Sequence, residues 1–323
     1  MINACIVGYG AIGPVHAGAI AGIENVNLYG VCDIIKERAD KGAELYNAKA
    51  FYDFEDCLND ENIDYIHICT PHYLHFEMIT KSLDAGKRVV VEKPMVMKKE
   101  QFDILFEKYD VTKVFPIVQN RTNTCVMKLK EMIENNDYGP IRGVKGVVTW
   151  CRDEKYYNSA AWRGTKDYEG GGVLINQAIH TLDLLTYFAG ETESVTASMK
   201  NHSLKGVIEV EDTVEAYIKY KSGATGVFYA TNAYKTHSPI LFEINFEKNN
   251  FAYFSGSLFL NGELICSDSK EYSGKSYWGN GHTKTLGDLY SGNKILTLHD
   301  VKDTMYTMFA LYESAEKNEE IFV

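Results

Sequence analysis

The chain has 323 residues, more than a single hydrophobic core usually organises, and its 45% hydrophobic content is enough for two domains. Its 33 basic and 44 acidic residues leave a net charge of −11 with no basic run, which argues against nucleic acid or an anionic membrane surface as a partner. Seven cysteines without a C-x-x-C pair read as small core residues in a reducing compartment, and no apolar stretch is long enough to cross a bilayer, so a cytoplasmic protein is expected.

The first apolar run, Ala4-Cys5-Ile6-Val7, leads straight into Gly8-Tyr9-Gly10-Ala11-Ile12-Gly13 and then a helix. Gly8 suits a tight turn, Gly10 removes a side chain that would block a pyrophosphate, and Gly13 lets helix and strand pack closely. A second apolar run, Leu28-Tyr29-Gly30-Val31-Cys32, ends at Asp33. An acid there suits both ribose hydroxyls and repels a 2′-phosphate, so NAD is expected rather than NADP.

Residues 36–46 read as a helix, 50–52 as a short strand, and 65–71 as a buried strand that ends at Pro71. A helix over 75–85 stops at Gly86, a strand covers 88–91, a helix 99–109 and a strand 114–118. This alternation predicts a doubly wound parallel sheet of the Rossmann type, an NAD-binding domain over residues 1–120. The rhythm then changes to a helix over 124–135, a turn at 136–140 and an alternating strand over 144–150. Hairpins are expected around Ser222-Gly223 and around Asn249-Asn250, and a closing helix over 300–317. Residues 121–323 therefore read as an α+β domain with a large, mostly antiparallel open sheet, one face of which is a candidate oligomerisation contact. The 22 tyrosines, many on these strands, fit either a homodimer or homotetramer contact or ordinary core beneath helices.

Two places depart from purely structural expectation. Glu92-Lys93-Pro94 follows the strand over 88–91, so Lys93 stands at the carboxyl end of a parallel strand, where ligands bind in such sheets. Its ammonium suits donation to a hydroxyl that becomes a carbonyl, and Pro94 fixes the backbone that aims it. The second place is Gly170-Gly171-Gly172 and the apolar run closed by Gly190. At about 100° per residue Asn176, His180, Asp183 and Tyr187 share one face of that helix, a polar stripe that either a site or a structural network would satisfy. His180, with amide and carboxylate neighbours one turn away, is the candidate base.

Gly8-x-Gly-x-x-Gly13, Thr70-Pro71 with His75, Glu92-Lys93-Pro94, Gln119-Asn120-Arg121, Trp162-Arg163-Gly164, the triple glycine, His180 with Asp183, and Gly279-Asn280-Gly281-His282 occur in this order. Together they resemble the Gfo/Idh/MocA family, the glucose–fructose oxidoreductase and inositol dehydrogenase relatives, over nearly the whole chain. The resemblance implies oxidation or reduction of a sugar, inositol or related polyol, with Lys93 and His180 as the catalytic residues. It extends the cofactor site to Thr70, Pro71, His75, Glu92, Lys93 and Gln119. Tyr156, Tyr157, Trp162, Arg163 and His282, with Lys93, Asn176, His180 and Asp183, are the substrate candidates, and no metal is expected. Many family dehydrogenases carry aspartate where Asn176 stands, and an amide cannot take a proton. Either His180 then acts without that partner, or Asp183 supports it and Asn176 binds a substrate hydroxyl. An NAD- or sugar-binding regulator and a redox-neutral NAD-dependent glycosidase are the alternative readings.

Overall fold

A computed structural model describes residues 1–135, 138–268 and 281–323, so part of the expected turn at 136–140 and the Gly279-Asn280 pair lie outside the described residues. The chain divides into two compact units: Met1–Thr122 with the described part of Lys270–Asp300, and the described part of Asn123–Ser269 with Val301–Val323.

In the first unit, strands β1 (Ile2–Val7), β2 (Val26–Cys32), β3 (Lys49–Phe51), β4 (Tyr65–Ile68), β5 (Arg88–Val91) and β6 (Val114–Pro116) are joined through helices α1 (Gly13–Ala21), α2 (Lys36–Tyr46), α3 (Phe54–Asn59), α4 (His75–Asp84) and α5 (Lys99–Lys108). The strands form one parallel sheet in the order β3-β2-β1-β4-β5-β6, with Ile6 paired to Val31 on one side and His67 on the other. This is the doubly wound order whose ligand crevice opens beyond the carboxyl ends of β1 and β4. Ala4 to Val7, Val89 to Val91 and Tyr65 to Ile68 are buried, as strands covered on both faces must be. The strand expected over 65–71 is shorter; Cys69 lies just past β4 and is still buried.

The second unit begins with α6 (Thr124–Asn135), β7 (Ile141–Thr149), α7 (Glu154–Tyr157) and α8 (Ile179–Ala189). There follow β8 (Thr192–Lys200), β9 (Thr213–Tyr220), β10 (Thr225–Thr231), β11 (Leu241–Phe246), β12 (Asn250–Phe254), β13 (Ser257–Leu260) and β14 (Glu263–Ser267). Helix α9 (Gly281–Ser291) belongs to the first unit, and α10 (Lys302–Lys317) and β15 (Ile321–Phe322) complete the second. Its nine-stranded sheet runs β14-β13-β12-β11-β7-β10-β9-β8-β15, antiparallel except where β7 pairs with β10. One face, with Val144, Val148, Ile218, Phe228, Ala230, Phe242 and Ile244, is buried. On the other face Tyr217 pairs with Val227 and Leu241 with Phe254, and Tyr217, Val227 and Phe254 are exposed.

Helix α9 returns to the first unit because its apolar face completes that core: Leu286 and Leu289 pack with Ile6, Ile20 and Val31. Thr122 Oγ1 pins its start through Gly281 O and Thr285 Oγ1, both at 2.9 Å. The first unit is therefore not closed at residue 120. The closing helix begins at Lys302, after a 3-10 turn over Leu298–Val301.

Candidate active site

The glycine turn between β1 and α1 has the geometry its sequence demands. Gly8 has φ +93°, and a Cβ there would lie 2.8 Å from the Cys69 carbonyl. A Cβ on Gly13 would lie 2.6 Å from Gly8 O, so the third glycine is the price of close helix–strand contact. At Gly10 an added Cβ would meet nothing within 4 Å, leaving the turn open to an incoming group. Asp33 is buried beside it; Oδ2 accepts the Tyr9 N–H at 2.8 Å and Oδ1 the Ile35 N–H at 2.9 Å. Gly10 and the Asp33 carboxylate fit a dinucleotide. The Tyr9 side chain does not: its ring is buried so close to Gly42 that a Cβ there would lie 2.8 Å away.

After β5 the chain continues through Glu92 and Lys93 to Pro94, and the Lys93–Pro94 peptide is cis. Across residues 89–96 Lys93 is the one residue not buried. Beneath it runs a buried hydrogen-bonded chain: Tyr290 Oη to His67 Nε2 at 2.6 Å, His67 Nδ1 to His16 Nδ1 at 2.9 Å, and His16 Nε2 to Glu92 Oε1 at 3.0 Å. Burial holds both histidines below their ordinary pKa, and one assignment of neutral tautomers then satisfies the series, with Tyr290 donating to His67, His67 to His16 and His16 to Glu92. His282 Nε2 meets the same Glu92 oxygen at 3.3 Å, and Glu92 Oε2 accepts the Lys93 N–H at 3.2 Å. His16, Glu92 and His282 offer ligand atoms within 4.8 Å of one another, and these hydrogen bonds account for that grouping.

Two expected contact residues thus have other work. His282, a sugar-pocket candidate in the sequence, is buried on Glu92. His75, expected beside the cofactor, is fully buried, with Nδ1 2.7 Å from Pro94 O and Nε2 2.9 Å from Thr70 O. It braces the loops after β4 and β5, and Thr70 and Pro71 remain half-exposed. Gln119 is buried in the 3-10 turn that Thr122 ties to α9.

In the second unit the polar stripe is broken by local geometry. Leu174–Ala178 is one π-helical turn ahead of α8, so Asn176 does not keep the 100° register assumed for it. Across residues 171–186 His180 is the one residue not buried. Asp183, expected to contact substrate, is buried and accepts Thr304 Oγ1–H from α10 at 2.8 Å. The Tyr187 ring packs on Phe188, with Lys130 Nζ 5.3 Å from its centre.

Tyr156 Oη accepts from Arg163 and from Gln177 Nε2, the latter at 3.0 Å. The Arg163 guanidinium lies over the Tyr156 ring at 4.4 Å and the Trp162 ring at 4.8 Å. Asn232 Nδ2 ties Gln177 Oε1 at 2.9 Å to Tyr157 Oη at 3.1 Å. Glu211 anchors the π turn, accepting Gly172 N–H at 2.9 Å, Leu174 N–H at 3.1 Å and Tyr312 O–H at 3.0 Å. Asn176 Nδ2 donates to Glu169 Oε1, and Glu169 is fully buried. Gln177, Glu169, Glu211 and Asn232 were not foreseen. Only Gln177, inside the singled-out stretch, carried a signal; Glu169 follows Lys166-Asp167 and looks like the same surface loop.

A parallel sheet of this order with this glycine turn defines a dinucleotide-binding protein, and comparison with known proteins narrows the class. Residues 2–119 match the oxidoreductase family with NAD-binding Rossmann fold, and residues 126–252 match the GFO/IDH/MocA C-terminal domain. The chain belongs to the Gfo/Idh/MocA family of NAD-binding oxidoreductases. It is similar to the levoglucosan dehydrogenase of Pseudarthrobacter phenanthrenivorans, at 26% identity over 77% of this chain and 72% of that one. It is also similar to the myo-inositol 2-dehydrogenase of Thermotoga maritima, at 29% identity over 69% and 66%. Among solved structures it resembles the WlbA dehydrogenase from Bordetella pertussis in complex with NADH and UDP-GlcNAcA, with 28% identity, 100% and 98% coverage and a TM-score of 0.85.

Proposed function

We propose that the protein is an NAD-dependent dehydrogenase that oxidises a secondary hydroxyl of a sugar, inositol or related polyol, or reduces the corresponding carbonyl. The observation that carries this reading is the pair of openings at Lys93 and His180, each the single residue not buried in its own stretch of otherwise buried chain. A lysine and a histidine opened in this way are groups that handle protons. The relatives named for levoglucosan and myo-inositol support the substrate class.

In this reading Gly8 to Gly13, Asp33 and the loop at Thr70-Pro71 hold NAD, whose nicotinamide supplies the hydride acceptor. His180 takes the proton of the substrate hydroxyl as hydride leaves the same carbon. Lys93 donates to the oxygen and stabilises the negative charge that builds there, and reduction runs in the opposite sense. Glu92, held by His16 and His282, fixes the backbone from which Lys93 projects. Tyr156, Trp162, Arg163, Gln177 and Asn176 offer flat faces and fixed polar atoms for a hydroxyl-rich ring. The exposed apolar residues Tyr217, Val227 and Phe254 on one sheet face favour a homo-oligomer. Seven free cysteines accord with the cytoplasm, and among the described residues no helix is long and apolar enough to cross a membrane.

The test is NADH formation from NAD with a panel of inositols, aldoses, anhydrosugars and sugar nucleotides, with NADH binding measured in parallel. Turnover with at least one of them is expected. NADH binding without turnover on any would favour a regulator or a redox-neutral glycosidase instead.

A further inference from the structure

One fully buried carboxylate near the candidate substrate residues was not singled out by the sequence. Glu169 has no exposed surface. Its Oε2 accepts the N–H of Gly164 and its Oε1 accepts from Asn176 Nδ2. Gly164 is itself fixed, with φ +72° and a Cβ position only 2.5 Å from Ile208. Asn176 is fixed from behind: its N–H donates to Gly172 O, four residues back, at 3.2 Å, while Glu211 holds Gly172 and Leu174.

We propose that Glu169 is a positioning residue for Asn176, locking the amide so that its oxygen is the end presented to substrate, and that residue 176 is an amide because the carboxylate of this corner sits at 169. The proposal rests on the dehydrogenase reading of the site. Its first step is the pair of hydrogen bonds on Glu169: Oε2 accepts the Gly164 N–H, and Oε1 accepts from the NH2 end of Asn176. The opposite end is then a carbonyl, a neutral acceptor suited to a substrate hydroxyl and unsuited to a phosphate or carboxylate. An aspartate at 176 would set two buried carboxylates within hydrogen-bond distance, and such a pair retains a shared proton because both cannot ionise together.

The experiment compares the full-length wild type with Glu169→Gln, Asn176→Asp and the Glu169→Gln/Asn176→Asp double variant. The first readout needs no substrate: the thermal midpoint of each as a function of pH. Asn176→Asp is expected to lose midpoint as pH rises above the carboxylate range and the shared proton is stripped, whereas the double variant, again one amide and one carboxylate, should follow the wild-type curve. The second readout is KM against kcat for the best substrate. Glu169→Gln frees the amide to turn and should raise KM by roughly threefold to tenfold with a smaller change in kcat, and the double variant should recover at least half of that loss on a logarithmic scale. Wild-type pH dependence in Asn176→Asp, or a double variant as impaired as the sum of its two parts, would overturn the proposal. If no polyol is oxidised by the wild type, the dehydrogenase reading fails while the melting curves still decide whether residues 169 and 176 form this pair.

Discussion

The His16 imidazole and the Glu92 carboxylate meet at 3.0 Å in the interior of the first unit, one residue ahead of Lys93. Burial pushes the Glu92 carboxyl up, but hydrogen bonds from His16 and His282 outweigh it and hold the group well below its usual range. The anion is thereby fixed under the lysine backbone. Replacing Glu92 by alanine leaves two buried N–H groups without their acceptor, each costing about 1–3 kcal/mol. Urea unfolding should show a loss of about 2–5 kcal/mol in the transition of the first unit, with a smaller loss for Glu92→Gln, which keeps one acceptor oxygen.

The three glycines of the turn should separate by function. Gly13→Ala forces a Cβ to 2.6 Å from Gly8 O and Gly8→Ala combines φ +93° with a clash against Cys69, so both should lower stability by about 1–3 kcal/mol. Gly10→Ala meets no neighbour and should leave the thermal midpoint almost unchanged while weakening NADH binding about tenfold or more. Isothermal titration alongside melting distinguishes the two behaviours.

Asp33→Ala should reduce the preference for NAD over NADP by about tenfold or more, read as the ratio of the two dissociation constants. It also strips the acceptors from the Tyr9 and Ile35 N–H groups, so a modest fall in thermal midpoint should accompany the change.

Stability should carry a signature of Glu211. Burial raises this carboxyl from 4.5 to about 7, although Leu174, Gly172 and Tyr312 donate to it. A pKa raised in the folded state means that stability is fully present below the unfolded value and is lost as pH rises through the folded one. About 3 kcal/mol should therefore disappear between pH 4.5 and about 7. Chemical unfolding across that window should show the slope in the wild type and a flattened one in Glu211→Gln.

The parallel sheet was legible because its signals are local: buried apolar runs ending in glycine or proline turns, with α2 over Lys36–Tyr46 and β5 over Arg88–Val91 falling at the bounds their residues predict. What escaped depends on contacts across the chain. Helix α9 joins the first unit through Leu286 and Leu289, and nothing in their own neighbourhood says which core they enter. A 100° register puts Asn176 and Asp183 on one face, and a π turn, invisible to periodicity, takes Asn176 off it. Asp183 then bonds to Thr304, 121 residues away, and His282 to Glu92, 190 residues away. Lys93 and His180 stood out in the sequence because a charged or titratable residue in an apolar run is conspicuous wherever its partners lie.

The most direct test of the account is NADH production from NAD and the best polyol substrate by the wild type, Lys93→Ala and His180→Ala, with NADH affinity and thermal midpoint measured for all three. The account predicts a fall in kcat of about a hundredfold or more in each variant, within the range positioned proton-transfer groups contribute, while the midpoint holds and NADH still binds. Undiminished turnover in either variant, with fold and cofactor binding intact, would contradict it.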